Sequence, residues 1–271
     1  MFRTLFHIGS FQIHSYGVMQ AIAFFTAIYI AVLRGKREGI KSDTIFDLAI
    51  WILVSIVIGA RIWYVIEHFN EYTSNPFDIF KVWQGGLVFY GGYIGAVIGG
   101  LLFLKKRKLS FTKIGDIMAP SFAIAISIGR IGCFLNGCCY GKISQRWGIP
   151  FPAREFPPPY ADQLRHGLIN QGATHSLPVI PTQLYSTLDN LVIFVILILL
   201  SRRKPFQGFL LWLFFALYGF HRFVIDFFRY YEGAAKALKI MTLSQAMSLC
   251  VIIVSVIALV ILYRQHKKVK G

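Results

Sequence analysis

The sequence predicts an all-α, polytopic membrane protein, and three observations lead to this fold class. The 271 residues are 56% hydrophobic and have a mean hydropathy of +0.59, whereas soluble domains usually have roughly 45–50% apolar residues. Seven apolar stretches are long enough to cross a bilayer. The basic residues, which give a formal net charge of +16, are concentrated in short clusters between those stretches.

Each predicted span is a continuous apolar run, because a transmembrane helix needs about 20 predominantly apolar residues. The fifth run is short as drawn and reaches spanning length when it is extended back through Gln183. In chain order, the seven predicted spans are Tyr16–Leu33, Ile45–Ile66, Gly86–Leu104, Ile114–Leu135, Leu188–Leu200, Phe209–Phe228 and Met241–Tyr263.

Four basic clusters determine the predicted orientation. They follow the first, third, fifth and seventh spans, so all four lie on one side of the membrane if every span forms. Lysine and arginine accumulate on the cytoplasmic side of membrane proteins. We therefore expect the N-terminus outside, the C-terminus inside, and one integral membrane domain over residues 1–271 with an extended outer loop at about 136–187. The clusters are Arg34–Lys41, Lys105–Lys113, Arg202–Lys204 and Arg264–Lys270.

Two arginines lie within predicted spans: Arg130 in the fourth and Arg222 in the sixth. A guanidinium near the membrane interior costs roughly 2.5–3.5 kcal/mol, and arginine cannot lose its charge by deprotonation. Such a residue is retained only with a partner or an anionic ligand, and phospholipid head groups are the abundant anions of a membrane. The pair indicates a polar cavity that holds an anion. Because no zinc-finger, RRM or helix-turn-helix pattern accompanies the basic clusters, we do not expect nucleic-acid binding.

The densest group of chemically useful residues is Gly129–Gly141, with the sequence GRIGCFLNGCCYG, at the outer end of the fourth span. Its glycines remove side chains where a backbone approaches a ligand or a neighbouring helix. Arg130 adds a fixed charge, and Asn136 adds an amide that both donates and accepts hydrogen bonds.

This segment resembles the signature of the prolipoprotein diacylglyceryl transferases, G-R-x-G-N-F-x-N-x-E-x-x-G. Further matches occur in the family's order from the first span to the seventh, so the resemblance covers nearly the whole chain. They are Ser15-Tyr16-Gly17, Gly59-Ala60-Arg61, Gly85–Gly92, Pro181–Tyr185, Tyr218–Phe223, Asp226–Arg229 and Leu243–Gln245.

The resemblance implies a multi-pass enzyme of the bacterial cytoplasmic (inner) membrane, and we expect neither a cofactor nor a metal. Such an enzyme transfers the diacylglyceryl group of phosphatidylglycerol to the lipobox cysteine in the signal peptide of a prelipoprotein. The product is a thioether, and glycerol phosphate is released. The predicted substrate-binding residues are Arg130, Tyr16, Asn136, Gly141, Tyr218, Asp226, Arg229 and Arg61.

The predicted chemistry requires a thiolate to attack a glyceryl carbon while a phosphate monoester leaves. Arg130 and Arg222 are expected to bind the phosphodiester and stabilise the charge that develops on the departing oxygens. The base is where the chain departs from the family, since Tyr90 stands at the position of the family's third-span histidine. Tyr90, His221 and the leaving phosphate are three candidates for removing the thiol proton.

A second departure concerns three cysteines, of which Cys133 and Cys138 replace the Asn and Glu of the signature and Cys139 follows directly. Their spacing differs from the C-x-x-C of common zinc sites. We rank small packing residues first, a disulfide from Cys133 to Cys138 or Cys139 second, and metal ligation last.

Two other functions remain open at this point. One is a related lipid transferase with a different acceptor, which the substitutions at Tyr90, Cys133 and Cys138 keep under consideration. The other is a non-catalytic phospholipid or anion transporter that uses the same arginines. Transporters usually contain internal repeats and paired broken spans, and the sequence contains neither pattern.

Overall fold

A computed structural model describes residues 3–8, 11–72, 76–231 and 241–270. The described residues are mostly helical, which confirms the predicted fold class. The helices are α1 (Ser15–Arg37), α2 (Ser42–Glu67), α3 (Phe89–Lys106), α4 (Phe111–Asn136), α5 (Pro158–Arg165), α6 (Thr182–Leu200), α7 (Phe209–Ile225) and α8 (Leu243–Lys270).

Each of the seven predicted spans coincides with one helix. Within the described ranges, α1, α2, α4, α6 and α8 are long and apolar enough to cross a membrane, and α7 is a shorter apolar helix of 17 residues. The protein is therefore a multi-pass membrane protein. The count of seven spans and the outward N-terminus stay predictions.

A short hairpin precedes α1 and was not predicted. Strand β1 (Thr4–Ile8) pairs antiparallel with β2 (Phe11–His14). The sequence carries the usual signal, because Gly9-Ser10 separates two short segments in which aromatic or aliphatic residues alternate with polar ones. The Ser15 amide, at the start of α1, donates to the Arg3 carbonyl over 2.9 Å and ties the hairpin to the helix.

The chain divides into two compact units, one formed by Met1–Ile30 and Gly115–Gly271 and the other by Ala31–Ile114. In the second unit, α2 and α3 pack backbone against backbone. A Cβ on Gly95 would lie 2.2 Å from the Ser55 carbonyl oxygen, and one on Gly91 would lie 2.4 Å from that of Gly59. The small residues of α3 thus permit the close helix approach that is common in membranes. The expectation of a single domain stays a prediction.

In the first unit, α4, α6 and α7 share an apolar core. Polar contacts supplement it: the Ser127 hydroxyl donates to the Thr187 carbonyl oxygen over 2.8 Å. The buried Asp116 of α4 accepts the backbone amides of Gly208 and Leu211, at 2.8 and 3.0 Å, and so caps the start of α7. The core residues are Ala119, Ala123, Ile193, Leu197, Leu210 and Phe214.

The region predicted as an extended outer loop, at about 136–187, has a fold of its own. It contains α5 and the first turn of α6, and it is centred on the buried side chains of Tyr140, Phe151 and Val179. The Tyr140 hydroxyl donates to Asp162 of α5 over 2.6 Å. This packing anchors the chain that leaves α4, where the signature segment ends.

Candidate active site

The signature glycines of α4 let α1 approach closely. A Cβ on Gly129 would lie 2.8 Å from Oε1 of Gln20, and one on Gly132 would lie 2.9 Å from the Met19 Cβ. Gln20 in turn donates to the Tyr16 hydroxyl over 2.8 Å. The glycines therefore explain how Tyr16 of α1 comes to lie beside the C-terminal part of α4.

A glycine cap ends α4. Gly137 has a φ of 79°, its amide donates to the Phe134 carbonyl over 3.1 Å, and the Cys138 amide donates to the Cys133 carbonyl over 3.1 Å. These two bonds are the pair that defines a Schellman motif, which needs a left-handed residue such as glycine just past the helix. The motif folds Cys138 back over Cys133.

The turn after α4 is held from two sides. The Thr182 hydroxyl donates to the Cys139 carbonyl over 2.7 Å, and the side-chain amide of Gln183 donates through Nε2 to the Cys138 carbonyl over 2.8 Å. Both residues begin α6 and belong to the Pro181–Tyr185 match. On the other side, Gly141 forms an antiparallel bridge with Arg229.

Gly141 is required by this bridge, because a Cβ there would lie 2.6 Å from the Phe228 carbonyl oxygen. The neighbouring Lys142 amide donates to that same carbonyl over 2.9 Å. The predicted importance of Gly141 thus has a structural cause: its bare backbone brings the turn against the chain that follows α7.

The bridge places Arg229 beside the cysteines. Its Nη2 donates to the Cys139 Sγ over 3.3 Å, whereas its buried Nε has no hydrogen-bond partner among the described residues. Hydrogen bonds from the Cys133 and Cys138 thiols, followed by the charges of Arg229 and Arg130, hold the pKa of the Cys139 thiol well below its usual range.

Arg222 and Asp226 lie one helical turn apart at the end of α7, with 3.6 Å between Nη2 and Oδ1. Arg222 also donates to the Tyr231 hydroxyl over 3.2 Å. The fully buried Asp226 side chain accepts the hydroxyls of Tyr231 and Thr242. Burial, and then the bond to Asp226, raise the pKa of Tyr231, so this phenol stays protonated as a donor at neutral pH.

A histidine lies within electrostatic range of both predicted key arginines. His221 is close enough to Arg130 and Arg222 to interact electrostatically with both, and the Tyr218 hydroxyl is hydrogen-bonded to Arg130. The Nδ1 atom of His221 lies 2.9 Å from Oδ2 of Asp189, an α6 residue whose side chain is 51% exposed. An acidic partner at Nδ1 favours the tautomer that carries its proton on Nδ1, so Nε2 is the acceptor nitrogen of the neutral ring.

Most of the predicted site residues lie in one unit. A chain of contacts joins Arg130, through Tyr218 and His221, to Arg222, and from there through Tyr231 to Arg229. Asn136 lies at the edge of this group and accepts a hydrogen bond from Nε of Arg3 at 3.4 Å.

Two predicted residues, Tyr90 and Arg61, belong to the other unit. The Tyr90 side chain is 66% exposed. The Arg61 guanidinium donates to four backbone carbonyls, those of Asp78, Ile79, Gly85 and Gly86, at 2.6–3.2 Å. These bonds show Arg61 organising the chain between α2 and α3, and its predicted role in substrate binding stays a prediction.

Sequence reasoning missed three residues of the site: Asp189, Tyr231 and Thr242. Asp189 had a usable signal, since an acidic residue within an apolar span is by default a functional candidate. Tyr231 and Thr242 had none, because Tyr231 follows the sixth predicted span and Thr242 is an uncharged polar residue at the start of the seventh.

Comparison with known proteins agrees with the resemblance of the motifs. The family profile described as prolipoprotein diacylglyceryl transferase matches residues 3–261. A phosphatidylglycerol–prolipoprotein diacylglyceryl transferase of Xanthomonas euvesicatoria pv. vesicatoria is 34% identical over 94% of this chain and 88% of that protein. A protein of the same name from Geobacter sulfurreducens is 31% identical over 83% of this chain and 81% of that protein.

Proposed function

The chain belongs to the prolipoprotein diacylglyceryl transferase family, and on this premise we propose that it transfers a diacylglyceryl group from phosphatidylglycerol to the lipobox cysteine of a prelipoprotein. The observation that carries the proposal is that Arg130, Arg222 and His221 belong to one unit and that both arginine charges act on His221. Cations and a base are the groups that this transfer requires.

The arginines suit a phosphodiester because Arg222 and Arg229 have few acceptors among the residues that the structure describes. Arg222 has a carboxylate oxygen at 3.6 Å and a phenol at 3.2 Å, and the buried Nε of Arg229 has no partner in the described part of the chain. Guanidinium groups bind phosphate oxygens through two parallel bonds. We assign Arg130 and Arg222, with Arg229 beside them, to the head group of the lipid donor.

The reaction then follows from this arrangement. The acceptor thiol loses its proton to a base, and the sulfur attacks the glyceryl carbon that carries the phosphate ester. A C–S bond forms while the C–O bond breaks, and the electron pair leaves with the oxygen of glycerol phosphate. The arginines stabilise the charge that develops on that leaving group, most strongly where little water is present.

We assign the base to His221. Its side chain is 5% exposed, and the contact with Asp189 orients the ring so that Nε2 is free to accept a proton. Of the two candidate side chains from the sequence, His221 belongs to the same unit as both arginines, whereas Tyr90 belongs to the other unit. Asp189 acts as a positioning residue through His221.

The proposed location is the bacterial cytoplasmic membrane, with the N-terminus and the 136–187 region on the outer side. The basic clusters after α1, α3, α6 and within the end of α8 support this orientation. Reporter fusions at the exposed Lys108 and Arg165 test it. A phosphatase reporter should be active at Arg165 alone and a cytoplasmic fluorescent reporter at Lys108 alone. Activity of one reporter at both positions would refute the orientation.

Complementation tests the function. The chain is expressed in a bacterium depleted of its own transferase, and a reporter prelipoprotein is analysed by mass spectrometry. We expect growth to be restored and the lipobox cysteine to gain one diacylglyceryl group. The matched control is Arg203→Ala, an exposed arginine outside the site, which should complement like the parent chain.

Two outcomes would overturn the proposal in different directions. A diacylglyceryl group found on a residue other than the lipobox cysteine would indicate a related transferase with a different acceptor. Movement of phospholipid across vesicles that contain the purified chain, without any mass gain on the reporter, would indicate a transporter.

A further inference from the structure

Three thiols lie together at the outer end of α4. The Sγ atoms of Cys133, Cys138 and Cys139 are all within 4.8 Å of one another, and each side chain is partly buried. Cys133 belongs to the last turn of the helix, and the other two follow the glycine cap at Gly137. The reaction proposed above does not use this cluster.

The backbone holds the cluster in place. The Schellman motif returns Cys138 to Cys133 through the 3.1 Å bond between their backbone groups. The carbonyls of Cys138 and Cys139 are both bonded by the first turn of α6. All three thiols are thus attached to backbone that is fixed by hydrogen bonds to two helices, as a preorganised ligand set requires.

The spacing of the sulfur atoms suits a single metal ion. A tetrahedral Zn²⁺ with bonds of about 2.3 Å holds its thiolates about 3.8 Å apart. The three sulfur atoms, which lie within 4.8 Å of one another, reach that separation by small side-chain rotations. Thiolate ligands select thiophilic ions such as Zn²⁺ and Cu⁺ over Mg²⁺, Ca²⁺ or Mn²⁺.

The surrounding charge also favours a metal–thiolate complex. Three thiolates and one divalent ion carry a net charge of −1, which needs a nearby cation in a poorly hydrated site. Arg229 supplies that cation, with Nη2 at 3.3 Å from the Cys139 Sγ. Arg130 interacts electrostatically with both Cys133 and Cys139. Such partners beside the ligands normally strengthen metal binding.

From this geometry we propose that Cys133, Cys138 and Cys139 form a binding site for one thiophilic metal ion of the Zn²⁺ type. The described residues contribute three ligands, which leaves a fourth coordination position for water or another small ligand. The proposed metal site shares Arg130 and Arg229 with the proposed head-group site, but the argument for it rests on the three thiols and their fixed backbone and does not require the transferase activity.

Metal binding to the purified, reduced, full-length chain in detergent tests the proposal. The chain is freed of metal and dialysed separately against Zn²⁺, Cu⁺ and Mg²⁺, and the bound metal is measured by elemental analysis. Titration with Cd²⁺ follows thiolate ligation directly by its ultraviolet charge-transfer absorption. We expect one Zn²⁺ or Cd²⁺ per chain and no saturable binding of Mg²⁺, and the relative affinities of Zn²⁺ and Cu⁺ identify the preferred ion.

Cysteine variants locate the site. Cys133→Ser, Cys138→Ser and Cys139→Ser should each abolish saturable binding, whereas Cys250→Ser, which removes the exposed cysteine of α8, should bind like the parent chain. Arg229→Gln retains all three thiols and should weaken binding by about 10- to 100-fold, as loss of a neighbouring partner does. It serves as the second variant if a serine variant fails to fold.

Three results would overturn the proposal. Free thiols without metal uptake would show that the cysteines are packing residues. If the mass of the unreduced chain is lower by two hydrogens than that of the reduced chain, and the reduced chain takes up no metal, two of the cysteines form a disulfide instead. Uptake that persists in all three serine variants would place the metal elsewhere.

Discussion

Two arginine-containing regions of this protein differ in how far the chain itself satisfies the guanidinium groups. Arg61, in the second unit, donates to four backbone carbonyls and contacts the rings of Tyr64 and Tyr72. Within the described ranges, Arg222 of the first unit contacts one phenol and has one carboxylate oxygen at 3.6 Å. An arginine whose N–H donors are taken up by backbone carbonyls stabilises the fold. An arginine with N–H donors left over can bind an anion.

The same difference appears in the glycines. Those of α3 allow α2 to pack backbone against backbone, so the glycine-rich match around Gly91 maintains a helix pair. Gly141 allows a turn to reach the chain beyond α7 and brings Arg229 to Cys139. Gly91 and Gly141 both belong to motifs shared with the family, yet only Gly141 bears directly on the proposed site.

The largest expected effect comes from Arg130 and Arg222, the two arginines assigned to the phosphate of the lipid donor. Arg130→Ala and Arg222→Ala should each lower the transfer rate by about 10³-fold, because each removes a cation that stabilises the leaving phosphate. Lysine should restore little activity, since it lacks the two-bond geometry of the guanidinium. The measurement is diacylglyceryl transfer to a lipobox peptide by purified, correctly inserted enzyme. Unchanged rates in either alanine variant would remove that arginine from the head-group site.

The next largest effect is expected at the proposed base. His221→Gln should reduce kcat by at least about 10²-fold and change the pH profile of kcat, because the proposed proton acceptor is removed. Asp189→Asn should have a smaller effect and displace the pH profile, as a positioning residue does. Tyr90→Phe is the comparison, and it should raise the activation free energy by about the value of one hydrogen bond, ~0.5–1.5 kcal/mol. A larger loss at Tyr90 than at His221 would reverse the assignment.

Substitution of Arg61 tests whether an arginine bonded to backbone carbonyls serves stability rather than substrate binding. Arg61→Ala should lower the free energy of unfolding by roughly 1.5–3 kcal/mol, because carbonyls that were bonded to a charged donor lose their partner. Thermal denaturation in detergent measures this loss, and Arg37→Ala, an exposed arginine of the same unit, is the control. If instead the folded variant has a raised KM for the lipid with unchanged stability, Arg61 binds substrate.

The smallest effect concerns the α2–α3 contact. Gly95→Ala places a methyl group against the Ser55 carbonyl and should destabilise the protein by roughly 1–3 kcal/mol. Gly100→Ala, in the same helix, meets only the end of the Ile52 side chain at 4.0 Å. It should be neutral or slightly stabilising, because alanine favours the helix by about 0.5–1 kcal/mol. Equal effects at the two positions would contradict the close backbone packing.

Much of the fold was predictable because it depends on local composition. A long apolar run in a membrane must be a helix, since every backbone group has to be bonded within the segment, and all seven runs are helical. Arg130 and Arg222 stood out for a similarly local reason, a permanent charge in an apolar run. The fold of the 136–187 region was missed because it depends on contacts between residues far apart in the sequence, whereas the N-terminal hairpin had a local signal that was not used.

The sequence by itself determined the helices, the two arginines and the family, because each is contained in a contiguous pattern of residues. Only the tertiary structure decided which ionisable groups meet. It paired His221 with Asp189 across 32 residues of sequence, and the bridge between Gly141 and Arg229 brought a guanidinium to Cys139. Side chains from separate helices come together through packing and capping, and these depend on the geometry of the folded chain rather than on the spacing of residues along it.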